Sequence, residues 1–222
     1  MILTFDCYGT LIDTSPLLEE IGMIAKEGGV SPEKAMSLFP VYEARVMYAE
    51  PYCDYDEVVL HALEYLDFDM CCSVFRKEAE RAVECIKNYK AFPEVKEILS
   101  KMKADGHKLY LMSNSKKELM ACHLKELGEP FEYEFLADET HCYKPNLEFF
   151  RYAEDRLSLK DKEKREHCHI AEGYFWDIIP ATYFRWNTIW VNRSHQQGDE
   201  RGKGYIEVHD LTGAYEALKN FA

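Results

Sequence analysis

The chain has 222 residues, 47% of them hydrophobic, and a formal net charge of −13 from 40 acids against 27 bases. This length and apolar content allow one large domain carrying an insert, and the charge disfavours nucleic acid and anionic membrane surfaces as partners. No run approaches the ~18 uninterrupted apolar residues of a membrane span, and no basic segment leads into a long apolar one near Met1, so neither an anchor nor a secretion signal is expected.

The first element is the apolar run 2–6, a buried strand that delivers Asp6 to its C-terminal tip, with Tyr8, Gly9 and Thr10 in the turn that follows. In an open α/β sheet such tips face the ligand crevice. An Asp cradled there can act as a nucleophile, or simply cap the turn. Cys7 follows Asp6, but a strand alternates faces, so Cys7 is expected to fill the core. Residues 14–90 hold no convincing strand. Helical periodicity recurs at Leu17–Ala25, Pro32–Phe39, Val41–Tyr48 and Tyr55–Leu66, punctuated by Pro16, Gly28-Gly29, Pro40 and Pro51. This is expected to be a helical cap above the first strand's tip, placed to exclude water from it. Ala91-Phe92-Pro93 then returns the chain to the core.

Further strands are expected at 108–112, 133–137, 168–171, 188–192 and 205–208, with helices at Val95–Lys103, Lys116–Leu127 and Leu147–Leu157. Strands alternating with helices predict an α/β fold, a Rossmann-like doubly wound parallel sheet formed by residues 1–13 and 91–222 around the cap of 14–90. The second strand ends in Ser113-Asn114-Ser115, either an anion cradle or a plain helix start. Lys144 precedes Pro145, which biases it to extended backbone, and it can reach back to neutralise a carboxylate. After 168–171 come Glu172, Gly173, Trp176 and Asp177. The two acids could hold a metal or activate a water, or Asp177 could be an ordinary first-turn acid. The charged run 160–166 reads as a solvated loop or helix end. The eight cysteines form no Cys-x-x-Cys pair, which predicts reduced thiols and a cytoplasmic location.

Asp6-x-Tyr8-Gly9-Thr10-Leu11, Ser113-Asn114, Lys144-Pro145 and Trp176-Asp177, in this order and spacing, resemble the haloacid dehalogenase superfamily over nearly the whole chain. The Asp-x-Tyr start is similar to the branch that hydrolyses 2-haloacids. The resemblance implies a hydrolase in which Asp6 displaces halide from carbon and forms an aspartyl ester. Lys144 then orients Asp6, Asp177 directs water onto the ester, and Thr10, Ser113 and Asn114 hold Asp6 and the substrate carboxylate. That route needs no cofactor and implies a small anionic substrate. Tyr8, Arg45, Glu172 and Trp176 are the expected substrate contacts. Arg45 stands one position beyond the Arg that the branch carries early in its insert, where this chain has Ala44. Glu172 falls where phosphatase members place a metal-binding Asp. A Mg²⁺-dependent phosphatase, with Asp6, Glu172 and Asp177 around the ion, is therefore the alternative enzyme reading, although Tyr8 replaces its general acid. A non-catalytic binding module on the same fold is the third. An exposed aromatic face on the insert would suit a homodimer.

Overall fold

The computed structural model describes residues 1–161 and 166–221. Its strands are β1 (Ile2–Phe5), β2 (Lys108–Ser113), β3 (Tyr133–Leu136), β4 (His167–Ala171), β5 (Thr188–Val191) and β6 (Tyr205–Val208). They form one parallel sheet in the order β3-β2-β1-β4-β5-β6. Every residue of β4 and β5 is buried, as are the last three of β1, the pattern of strands covered on both faces. This is the doubly wound order, whose ligand crevice lies where the strand order reverses, between β1 and β4. Phe5 pairs with Leu111 on one side and Ile170 on the other. The next residue, Asp6, therefore stands at that crevice. Cys7 is fully buried, as expected.

Within the insert of residues 14–90 lie α1 (Ser15–Glu27), α2 (Pro32–Met47), α3 (Tyr55–Asp69) and α4 (Ala79–Lys87). Leu17, Ile21, Ile24 and Ala25 make the buried stripe of α1, at the spacing of one helical face. Ser31 caps α2 by accepting the Lys34 N–H at 3.2 Å, and Pro32 fits the first turn because no partner is needed there. Pro40 was expected to divide this region into two helices. Instead α2 runs through it. A proline removes one N–H bond, and the packing of α2 against both α1 and α3 holds the helix on either side. The chain leaves and re-enters the core side by side. The Asp13 N–H meets Lys90 O at 2.9 Å, and the Phe92 N–H meets Leu11 O at 3.0 Å.

The remaining helices are α5 (Val95–Ala104), α6 (Lys117–Leu127), α7 (Ala137–Thr140), α8 (Leu147–Arg156), α9 (Ile179–Tyr183) and α10 (Leu211–Ala217). A π-helical turn, Tyr174–Ile178, precedes α9. The charged run 160–166 falls mostly outside the described residues. No described helix is long and apolar enough to cross a membrane. All eight cysteines are free thiols.

The turn after α3 depends on one carboxylate. Asp67 accepts the N–H groups of Val74 at 2.7 Å, Phe75 at 3.0 Å and Arg76 at 3.0 Å. Burial alone would raise its pKa, but these donors outweigh burial and hold it below 3.8. Asp67→Ala leaves the donors unmet and is expected to cost about 1–3 kcal/mol in urea denaturation at neutral pH. Asp67's contribution is full above 3.8 and is lost as pH falls through the lower folded value, so the difference between wild type and variant closes in acid.

Candidate active site

One ammonium organises the site. Lys144 Nζ donates to Asp6 Oδ1 at 2.8 Å, Asp177 Oδ1 at 2.7 Å and the Met112 carbonyl at 2.9 Å. A lysine has three N–H donors, and all are used. The three side chains come from three strand ends: Asp6 after β1, Lys144 after β3 and α7, and Asp177 after β4. Asn114, at the end of β2, clamps the Lys144 backbone. Its Oδ1 accepts the Lys144 N–H at 2.6 Å, and its Nδ2 donates to the Lys144 carbonyl at 2.9 Å. Asn114 therefore places Lys144 rather than holding Asp6.

Thr10 does hold Asp6. Its hydroxyl donates to Asp6 Oδ2 at 2.6 Å and accepts the Glu172 N–H at 2.7 Å. Arg193 fixes the same turn, donating to the Thr10 carbonyl at 2.9 Å and to Glu94 at 2.6 Å. Burial raises the Asp6 pKa and the Asp177 charge adds to this, with Lys144 and Thr10 opposing. Burial would also raise Asp177, but Lys144 and a hydrogen bond from His169 outweigh it and hold Asp177 below its usual value. Burial would lower Lys144, but its two carboxylates outweigh that and keep it charged.

Asp177 reaches the crevice because of its turn. A Cβ on Gly173 would stand 2.5 Å from Asp177 Oδ2 and 3.1 Å from Trp176 Cβ, so only glycine lets the carboxylate fold back. Behind it runs a buried chain that the sequence reading missed. His169 Nε2 lies 3.1 Å from Asp177 Oδ1, and Thr4 Oγ1 lies 2.9 Å from both His169 Nδ1 and His167 Nε2. Burial, with the neighbouring His169 ring adding to it, pushes His167 down to about 3, so it is neutral. Polar residues at 4, 167 and 169 inside otherwise apolar strands were the available signal.

Tyr8 has its proton committed elsewhere. His123 Nε2 meets the Ile86 carbonyl at 2.9 Å, so that nitrogen carries hydrogen, and burial keeps the ring neutral. His123 Nδ1 is then an acceptor, and the Tyr8 hydroxyl donates to it at 3.0 Å. Burial also raises the Tyr8 pKa far above 10.

These groups line a cavity of about 290 Å³. Asp6, Tyr8, Asn114, Lys144, Glu172, Trp176 and Asp177 face it from the core, and Phe39, Glu43, Tyr55, Ile86 and Tyr89 from the insert. Trp176 stacks on Tyr48 of the insert, with centroids 5.2 Å apart. Two expectations need correction. Ser113 is fully buried with an unpartnered hydroxyl and does not line the cavity. Arg45 also lies outside it, exposed, with its guanidinium 5.4 Å from the Tyr42 ring. The reason is helical phase: two residues turn a helix by about 200°, so Glu43 points inward and Arg45 outward. Tyr55 donates to Glu43 Oε1 at 2.6 Å, and burial raises the Glu43 pKa.

In the phosphatase alternative Asp6, Glu172 and Asp177 would hold Mg²⁺. Lys144 stands between the two aspartates, while Glu172 Oε1 turns to Ser194 at 3.3 Å and Gln196 at 3.1 Å. Among the described residues no three His, Cys, Asp or Glu side chains converge on a cation position. As arranged, they do not fit that ion.

A family model described as haloacid dehalogenase-like hydrolase matches residues 1–178. The (S)-2-haloacid dehalogenase 4A of Burkholderia cepacia is 26% identical over 195 residues, covering 85% of this chain and 81% of that protein. The haloacetate dehalogenase H-2 of Moraxella sp. strain B is 25% identical over 205 residues, covering 90% and 89%. An L-2-haloacid dehalogenase crystal structure superposes with a TM-score of 0.85 at 17% identity, covering 98% of each chain.

Gly173→Ala should drive Asp177 from its place beside Lys144 and His169, lowering kcat by more than tenfold and also the melting temperature, because a buried ion pair is broken; steady-state kinetics beside a melting curve read both. Glu172 supplies a pH test. Burial, with the Asp6 charge behind it, pushes its pKa from 4.5 up to about 7. The folded state then holds a proton that the unfolded chain has lost, so this contribution is full below 4.5 and is lost as pH rises through about 7. Glu172→Gln should flatten the fall in melting temperature between those pH values.

Proposed function

The chain belongs to the haloacid dehalogenase-like hydrolases, and on that premise we propose that it hydrolyses a carbon–halogen bond through an ester on Asp6. One observation carries this reading: the Lys144 ammonium lies between Asp6 and Asp177, within 2.8 Å of each. It opposes the effect of burial on the Asp6 charge and aims the carboxylate at the cavity. An Asp6 oxygen attacks the halogen-bearing carbon, a C–O bond forms, and halide leaves with the bonding pair. Water then adds to the ester carbonyl. Asp177 Oδ2, to which no described group donates, takes one proton from the water and returns it to the alkoxide that departs as the adduct collapses; the alcohol is released, and loss of the second water proton restores the Asp6 carboxylate.

The leaving group follows from Tyr8. A halide departs as a stable anion and needs no proton, whereas an alkyl phosphate needs an acid at its leaving oxygen. The Tyr8 hydroxyl donates its hydrogen bond to His123, and burial raises its pKa, so it is a poor acid for a leaving oxygen. Similarity to 2-haloacid and haloacetate dehalogenases supports the same chemistry.

Bromide release from small bromoalkyl compounds tests the proposal. Release should persist in EDTA and fall by at least a thousandfold in Asp6→Ala. Release that requires Mg²⁺, or that survives Asp6→Ala, contradicts it. Tyr8→Phe should retain kcat within about tenfold, since a general acid contributes about 10²–10⁴; a larger loss would assign Tyr8 a proton-transfer role.

A further inference from the structure

The charges around the cavity bear on what enters it. Four carboxyl side chains line it, those of Asp6, Glu43, Glu172 and Asp177, against a single cation, Lys144. Lys144 has no donor to spare, because Asp6, Asp177 and Met112 take all three. Arg193 is held by Thr10 and Glu94, and Arg45 lies on the opposite face of α2. A substrate carboxylate would therefore find no positive group free to receive it, and would meet Glu43 across the cavity.

Glu43 is placed to bind something else. It is half-buried in the insert wall, Tyr55 donates to its Oε1 at 2.6 Å, and among the described residues nothing donates to its Oε2. Among the described residues no Lys or Arg pairs with it. Aromatic rings line the same cavity: Tyr55, whose hydroxyl meets Glu43, Tyr89 and Tyr8, packed edge to face with centroids 6.2 Å apart, and Phe39 and Trp176. Electron-rich ring faces beside an uncompensated carboxylate attract a poorly hydrated organic cation, and quaternary ammonium groups above all.

We propose that Glu43 is a specificity-determining residue and that the cavity takes a haloalkyl substrate bearing an ammonium group, the cation held by Glu43 and the tyrosine rings and the reacting carbon at Asp6. The proposal rests on the dehalogenation reading for its reacting end only. In the step itself Asp6 forms a C–O bond to the carbon and the halide departs with its electron pair. Water hydrolyses the ester, and one proton is released. The ammonium group takes no part in bond making. Its binding brings Glu43 to the charged form that burial disfavours.

Two arms keep the binding claim separate from the chemistry. In the first, calorimetry measures choline and lactate, product-like probes of opposite charge, on wild type, Glu43→Gln and Glu43→Arg. Choline should bind wild type at least tenfold more tightly than lactate, lose at least tenfold in Glu43→Gln, and give way to lactate in Glu43→Arg. Lactate binding wild type as tightly as choline, choline binding unchanged in Glu43→Gln, or no binding of choline at all overturns the proposal. In the second arm, bromide release is compared for bromoacetate and (2-bromoethyl)trimethylammonium, with Asp6→Ala as control. The cationic compound should have the higher kcat/KM, and Glu43→Gln should raise its KM far more than it lowers kcat. Preference for bromoacetate overturns the ammonium proposal but leaves the Asp6 chemistry standing. Choline binding without Asp6-dependent bromide release does the reverse.

Discussion

The site depends on one buried ammonium shared by two buried carboxylates. Removing three charges from water is costly, and a buried ion cluster is tolerated only when geometry and hydrogen bonds are near complete. Here they are: each Lys144 donor has an acceptor within 2.9 Å, Thr10 satisfies Asp6, and His169 satisfies Asp177. Nearby features serve that arrangement. Asn114 pins the Lys144 backbone, Met112 offers the third acceptor, and Gly173 leaves room for Asp177. The sheet order brings β1, β2 and β4 side by side, so residues distant in sequence end at one crevice.

The shared cation also divides the labour between the two acids. Asp177 has both Lys144 and His169 and keeps the lower pKa, which suits a group that stays charged and directs water. At Asp6 burial outweighs the same cation and Thr10, so the charge a nucleophile needs depends on Lys144 staying beside it. The Asp177–His169–Thr4–His167 chain runs from this pair into the sheet and makes Asp177's orientation a property of the core.

Much of this was legible in the sequence. Apolar runs ending in Asp6, Ser113 and Glu172 gave the parallel strands and their tips, and the glycine between Glu172 and Asp177 marked a tight return. What escaped was whatever depends on side-chain direction in three dimensions. Pro40 looked like a break because proline's local cost is visible in sequence, whereas the packing of α2 on two neighbours is not. Arg45 was expected from the resemblance to the branch that carries an Arg early in its insert; the phase of α2 puts Glu43 on the cavity instead. Ser113 and Asn114 are adjacent short polar residues, yet one is sealed in the core and the other clamps Lys144. Strand alternation separates their faces, but it does not say what either one meets. Likewise, alternation places His167 and His169 on one face, but Thr4 joins them only through the pairing of β1 with β4.

The insert completes the chamber that the sheet opens. Its residues supply an apolar and aromatic wall, and the Tyr48–Trp176 stack joins that wall to the core. Water excluded there strengthens each electrostatic contact inside.

The most direct measurement is a single turnover in H₂¹⁸O with enzyme in excess over the bromoalkyl compound, followed by mass spectrometry of the peptide containing Asp6. If Asp6 forms the ester and water attacks its carbonyl, the label enters the Asp6 carboxyl and the first alcohol product carries none. Label found in that product, with an unlabelled Asp6 peptide, would mean that water attacks the substrate carbon directly and would contradict the account.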